Sequence, residues 1–190
     1  MIITVTKRFD FAMAHRLSDY KGKCEHLHGH NYQLEVTVGG DSLNEQGMVI
    51  DFGELKKIVN ENVVELFDHR TLLKKGDKKN EAIGKALKGE LDICWVDYNP
   101  TAENMLNDIF ARLEGPLFAL SCFIMTIRLY ETESSYAEIN PFFELVEDDG
   151  IEGGGLEENE LDEAGLPLNR EGTVSELYGN DFKLKKDTIH

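Results

Sequence analysis

Two alternating segments, one ending in a histidine and the other starting with two, constrain this chain more than any other feature. Ile3, Val5, Phe9, Phe11 and Met13 share odd parity, and His15 continues it. Successive strand residues point to opposite sides, so these side chains line one face of a half-buried strand. Leu34, Val36 and Val38 alternate ahead of Gly39-Gly40, and their even parity runs back through Tyr32 to His30 and His28. Imidazoles aligned inward beside apolar residues are costly without a partner.

The rest of the chain supplies covers and partners for those strands. Leu55, Ile58, Val59, Val63 and Leu66 recur at helical spacing after Asp51-Phe52, and Ala102, Met105, Leu106, Ile109, Phe110 and Leu113 do so again. Asn99-Pro100-Thr101 holds the cap and first-turn residues of the second helix, with Asn99 and Thr101 both eligible as the cap. Phe123, Met125, Ile127, Leu129 and Glu131 share the parity of a late strand, beside which Tyr136 to Phe143 is expected to return. Two strands, helix, helix, two strands is an α+β order.

With 190 residues and 41% hydrophobic content, one domain with a real core is expected. The formal charge of −16 argues against binding nucleic acid. The longest nearly apolar stretch, Phe118 to Ile127, falls short of the roughly 20 residues of a membrane helix, and no secretory leader is evident. A cytoplasmic location is therefore expected. Cys24, Cys94 and Cys122 are odd in number and scattered, which fits reduced thiols. Residues 147 to 190 hold 13 acids and 4 bases, a net of −9 that leaves −7 for residues 1 to 146. The organisation expected is a domain over 1–146, with an insertion at about 74–96, and an acidic extension over 147–190, disordered or extended.

Chemistry concentrates in Cys24-Glu25-His26-Leu27-His28-Gly29-His30, which holds three of the six histidines. Residues i and i+2 of a strand share a side, so His28 and His30 can face one ion, and a nitrogen from His15 completes the three-histidine set of a catalytic zinc. His26 has the wrong parity. Cys24 has three readings: a buried small side chain, a fourth zinc ligand closing a structural site, or a nearby thiolate acting as a base. Asp68-His69 follows the first helix and is either a helix-end ion pair or a proton-transfer pair. Glu131 either points its carboxylate along an apolar face, where a ligand with two adjacent N–H donors would satisfy it, or lies beyond the strand end in water. Thr101 and Glu103 divide in the same way between helix start and ligand contact.

These segments together resemble the 6-pyruvoyl-tetrahydropterin synthase and 6-carboxytetrahydropterin synthase family. The resemblance runs through Phe11-Ala12-Met13-Ala14-His15-Arg16-Leu17, Cys24 with His28-Gly29-His30-Asn31-Tyr32, Gly47 to Phe52 with Leu55-Lys56, Asp68-His69, Pro100 to Asn104, and Glu131-Thr132 with Ser135-Tyr136-Ala137. It covers roughly residues 1 to 140. The resemblance implies a tunnelling fold: an antiparallel four-stranded sheet with two helices on one face, assembled as two stacked trimers, a homo-hexamer with active sites between subunits. It also implies Zn2+ on His15, His28 and His30, Cys24 as base, Asp68 and His69 as a proton relay, and Glu131, Thr101 and Glu103 as pterin contacts.

The implied substrate is 7,8-dihydroneopterin triphosphate. The spacing of Cys24 from His-Gly-His looks like the 6-carboxytetrahydropterin branch of the queuosine and deazapurine pathway, while Glu25 is similar to the glutamate of a folate-pathway branch that forms 6-hydroxymethyl-dihydropterin. A 6-pyruvoyl-forming enzyme is a further alternative. Outside the enzymes stands a structural zinc module closed by Cys24, and a metal-free pterin aldolase would leave the histidines unexplained. Departures from the family pattern are Leu73, the stretch Lys74 to Val96 with a Lys-rich helix over Lys78 to Lys88, and the acidic tail.

Overall fold

The computed structural model describes residues 2–40 and 42–141; the acidic extension and Phe142-Phe143 lie outside the described residues. The chain forms β1 (Thr4–His15), β2 (His28–Gly40), α1 (Phe52–Val59), a π-helical turn (Asn60–Val64) running into α2 (Glu65–Phe67), β3 (Thr71–Lys74), α3 (Lys78–Ala86), β4 (Ile93–Val96), α4 (Ala102–Phe118), β5 (Cys122–Thr132) and β6 (Ser135–Ile139). The sheet order is β4-β3-β1-β2-β5-β6.

The four-stranded expectation is corrected to six strands. β1, β2, β5 and β6 form an antiparallel block in that order, and β3 and β4 extend it in parallel beyond β1. The added strands have four residues each, and Thr71, Leu72 and Leu73 are all buried. A strand buried on both faces carries no alternation, which is why periodicity passes over it. α1–α2 and α4 are the two helices expected of the fold, and α3 is the Lys-rich helix expected in the insertion, ending at Ala86 rather than Lys88.

Patterning holds along β1, where Phe9, Phe11, Met13 and His15 are buried while Arg8 and Asp10 are exposed. β2 buries Tyr32, Leu34, Val36 and Val38. The two strands pair in register from Thr4↔Gly39 to His15↔His28, which sets the histidine-bearing ends side by side. Leu55, Val59, Val63 and Phe67 from the first helical run and Met105, Leu106, Ile109, Leu113 and Leu117 from α4 close the core. Asp51 caps α1 by accepting from the Gly53 and Glu54 amides, and Thr101 caps α4 through the Asn104 amide.

The pattern fails in β5. The ladder pairs Thr37 with Thr126 and then Val38 with Ile124, so Met125 is an extra residue. Such a bulge reverses the face of every residue beyond it. The core side is Cys122 and Ile124 before the bulge, Ile127 and Leu129 after it, and Phe123 and Met125 are only half-buried.

Candidate metal centre

The ends of β1 and β2 bring His15, His28 and His30 together, with one ligand nitrogen from each lying within 4.8 Å of the others. Their ring centroids are 4.5, 5.0 and 5.3 Å apart. Gly29 separates the β2 pair, and a Cβ there would meet the Met13 carbonyl oxygen at 3.0 Å. Glycine at this position therefore lets the two backbones approach.

Hydrogen bonds assign the free nitrogens. His15 Nδ1 donates to the Pro100 carbonyl at 2.7 Å, and His28 Nδ1 donates to the His26 carbonyl at 2.8 Å. A carbonyl can only accept, so each neutral ring carries its proton on Nδ1 and turns a bare lone pair out at Nε2. Those two Nε2 atoms are 3.1 Å apart. Two lone pairs at that distance repel unless a cation or a shared proton lies between them, and two nitrogens bound to one tetrahedral zinc stand about 3.3 Å apart. His30 Nε2 is buried and has no hydrogen-bond partner. Buried ring nitrogens are nearly always satisfied, and an imidazole whose other N–H is held by a carbonyl is the usual form of a metal ligand. Burial, aided by His28 and His30, holds His15 below the ordinary histidine value against the opposing pull of Pro100 and Glu131, which favours the neutral ring a metal needs. These residues fit a divalent metal.

The remaining expected residues divide into those beside this set and those away from it. Glu131 lies within β5, turned to the histidines: Oε1 is 3.5 Å from His15 Nε2, 3.7 Å from His30 Nε2 and 3.4 Å from the Tyr32 hydroxyl. Its side chain is 32% exposed, so the carboxylate can still meet a ligand. Cys24 sits half-buried in a short 3-10 turn, Lys23–Glu25, and its carbonyl accepts from the Leu17 amide at 2.9 Å. Its sulfur is not among the converging ligand atoms. Thr101 caps α4, which places the preceding Pro100 carbonyl on His15, and Glu103 is exposed in the first turn.

Asp68 and His69 form a pair elsewhere. Asp68 Oδ2 is 2.9 Å from His69 Nδ1, and Oδ1 accepts from the Ala12 amide at 2.9 Å. The Ala12 amide above all, with His69, holds the Asp68 carboxyl below its ordinary value. The His69 side chain is 84% exposed, at a left-handed φ of 59° where the chain leaves α2. It borders a depression of about 380 Å³ that Ala12, Ala14, Gly29 and Asn31 line together with His30 of the histidine set. Glu25 lies 3.6 Å from His26 Nε2 beside a second groove of about 400 Å³ that also meets α3.

A sequence model of 6-pyruvoyl tetrahydropterin synthase matches residues 4–141. The chain belongs to that family. It is 36% identical over 144 residues to the 6-carboxy-5,6,7,8-tetrahydropterin synthase of Rickettsia typhi, a match covering 73% of this chain and 100% of that protein. The enzyme of the same name from Haemophilus influenzae is 38% identical over 138 residues, covering 70% and 96%. Among solved structures, an uncharacterized protein of Wolinella succinogenes superposes with a TM-score of 0.64 at 22% identity, over 74% of this chain and 99% of that one. The Caenorhabditis elegans 6-pyruvoyl tetrahydropterin synthase does so at 0.56 and 26%, over 74% and 96%.

Within this family member, three site groups escape sequence reasoning. The Pro100 and His26 carbonyls orient two imidazoles, and main-chain atoms have no sequence signal. The third, the Tyr32 hydroxyl, stands 3.4 Å from both His15 Nε2 and Glu131 Oε1. Its parity with His28 and His30 was the available hint. Burial, with the neighbouring Glu131 carboxylate, pushes the Tyr32 phenol well up, so it stays a proton donor. Among the described residues, no helix is long and apolar enough to cross a membrane.

Proposed function

We propose that this chain is a zinc-dependent 6-carboxy-5,6,7,8-tetrahydropterin synthase, a lyase that converts 7,8-dihydroneopterin triphosphate to 6-carboxytetrahydropterin with release of acetaldehyde and triphosphate. The observation that carries it is the set of three imidazole nitrogens with two tautomers fixed by carbonyls and the third nitrogen orphaned. The relatives bearing that enzyme's name over nearly their whole length support the product assignment.

His15, His28 and His30 would hold the zinc, which supplies Lewis-acid stabilisation of negative charge developing on a substrate oxygen. Cys24, outside the ligand set yet on the loop between two of the ligands, would take a side-chain proton of the substrate. Glu131 would accept paired N–H donors of the pterin, with Tyr32 donating to its other side and Thr101 and Glu103 lining the approach. Asp68 would hold His69 in one tautomer for proton transfer. Because the His69 side chain is largely exposed, the pair would act on the site of a neighbouring copy within the homo-hexamer of two stacked trimers that belongs to this reading. Location in the cytoplasm and a place in queuosine and 7-deazapurine biosynthesis belong to the same reading.

The test is turnover of dihydroneopterin triphosphate by the zinc-loaded protein with the pterin identified. The 6-carboxy product with acetaldehyde is expected. A hydroxymethyl product alone would reject the assignment and point to Glu25, and a pyruvoyl product would move the chain to the other branch. Cys24→Ala separates base from ligand: retained zinc with lost turnover is expected, whereas lost zinc would indicate a closed structural site.

A further inference from the structure

Helix α3 belongs to the insertion, and its one fully buried residue is an asparagine, Asn80, with 0% exposure. Asparagine is seldom fully buried, and it persists there only when its polar atoms are all paired. Here they are. Asn80 Oδ1 accepts from Arg16 Nη1 at 2.7 Å, and Nδ2 donates to Ser18 Oγ at 3.2 Å and to the Lys74 carbonyl at 3.0 Å. Arg16, itself 4% exposed, also bonds Asp77 at 3.1 Å, and Asp77 caps α3 through the Asn80 amide at 2.8 Å.

Three of these contacts fall on Arg16 and Ser18, and the residue between them, Leu17, donates its amide to the Cys24 carbonyl. The far side of the same segment is gripped by Asn99, whose side chain bonds both the amide and the carbonyl of Ser18 at 2.7 and 3.1 Å. Residues 16–27 otherwise join β1 to β2 with one short 3-10 turn as their regular structure. A connection of that length would sample many positions unless tethered. The insertion supplies one side of the tether and Asn99 the other.

We propose that Asn80 is a positioning residue for Cys24: through Arg16 and Ser18 it fixes the segment whose central amide holds the cysteine's main chain, so the insertion sets the placement of the thiol. The inference rests on the assignment of Cys24 as the base. Asn80 touches no substrate in this scheme and acts through the loop.

The test uses the full-length zinc protein and reads alkylation of Cys24 by iodoacetamide, resolved by peptide mass from Cys94 and Cys122, alongside zinc content and pterin turnover. Asn80→Leu keeps the volume and removes every side-chain bond. It is expected to speed Cys24 alkylation about fivefold or more, leave Cys94 alkylation and bound zinc unchanged, and lower kcat about tenfold with KM within about twofold, as misplacement of one catalytic group does. Asn80→Asp, which keeps the acceptor for Arg16, is expected to restore most of the slow alkylation. If Asn80→Leu does not fold, Ser18→Ala removes one of the same bonds and is expected to speed Cys24 alkylation about twofold. A melting temperature that falls while Cys24 alkylation and kcat stay at parental values would overturn the proposal. Absence of any pterin turnover in the parent would reject the proposed function and leave the alkylation result to decide the tether.

Discussion

The histidine set and the Asp68–His69 pair show two ways a chain can hold reactive side chains. The histidines sit at the end of a two-strand ladder, with lone pairs converging and their other nitrogens bound by main-chain carbonyls. The Asp68–His69 pair is fixed just as firmly at its base, by the Ala12 amide and by the His69 amide on the Ala12 carbonyl at 2.7 Å, yet its imidazole faces outward. One set brings its three nitrogens together within a single chain, where they could hold a metal ion. The other is an exposed pair outside the converging ligand nitrogens.

The sharpest break of this comparison is His28→Ala. It is expected to abolish bound zinc by elemental analysis and to cut kcat/KM by about 10³-fold or more, because two imidazoles seldom retain the ion. His69→Ala should instead keep the zinc and lower kcat by about 10²-fold, the usual range for a lost general acid or base. Mixing those two inactive proteins under subunit exchange is expected to recover activity. Recovery follows only if one copy's pair serves another copy's metal, and its absence would place both groups in one chain's site.

Gly29→Ala tests the histidine side by geometry alone. Its added methyl meets the Met13 carbonyl oxygen at 3.0 Å, so the neighbouring backbone has to give by a few tenths of an ångström, at a cost of roughly 1–3 kcal/mol in denaturant unfolding and with weakened zinc retention. The smallest effect is in pH dependence. The Asp68 carboxyl is held below its ordinary value, so its contribution to stability is fully present above about pH 3.9 and is lost as pH falls through the lower folded value. Asp68→Asn should remove that part of the acid limb in urea titrations and leave the neutral-pH metal content unchanged.

How far residues speak for themselves depends on the range of the interaction. Parity along β1 and β2 brought His15, His28 and His30 onto one face correctly, because alternation is a local property of extended backbone. The same reasoning misplaced Phe123 and Met125, since the extra residue in β5 exists only relative to β2. Glu131 is legible as a carboxylate sharing the parity of Ile127 and Leu129 beyond the bulge, but its partner Tyr32 comes from another strand. The insertion was visible as a stretch with a Lys-rich helix, ending at Ala86 rather than Lys88, while β3 leading into it and β4 within it were not.

What the amino-acid order settled by itself is therefore the α+β class, the amphipathic faces of the helices and the shared face of His15, His28 and His30, each resting on periodicity or on residues a few positions apart. Tertiary structure alone decided which ring nitrogens are free, that His69 of the Asp68–His69 pair is largely exposed, and that Asn80 reaches the loop holding Cys24. Those depend on hydrogen bonds between segments up to 85 residues apart, and only the folded chain brings such groups within reach of one another.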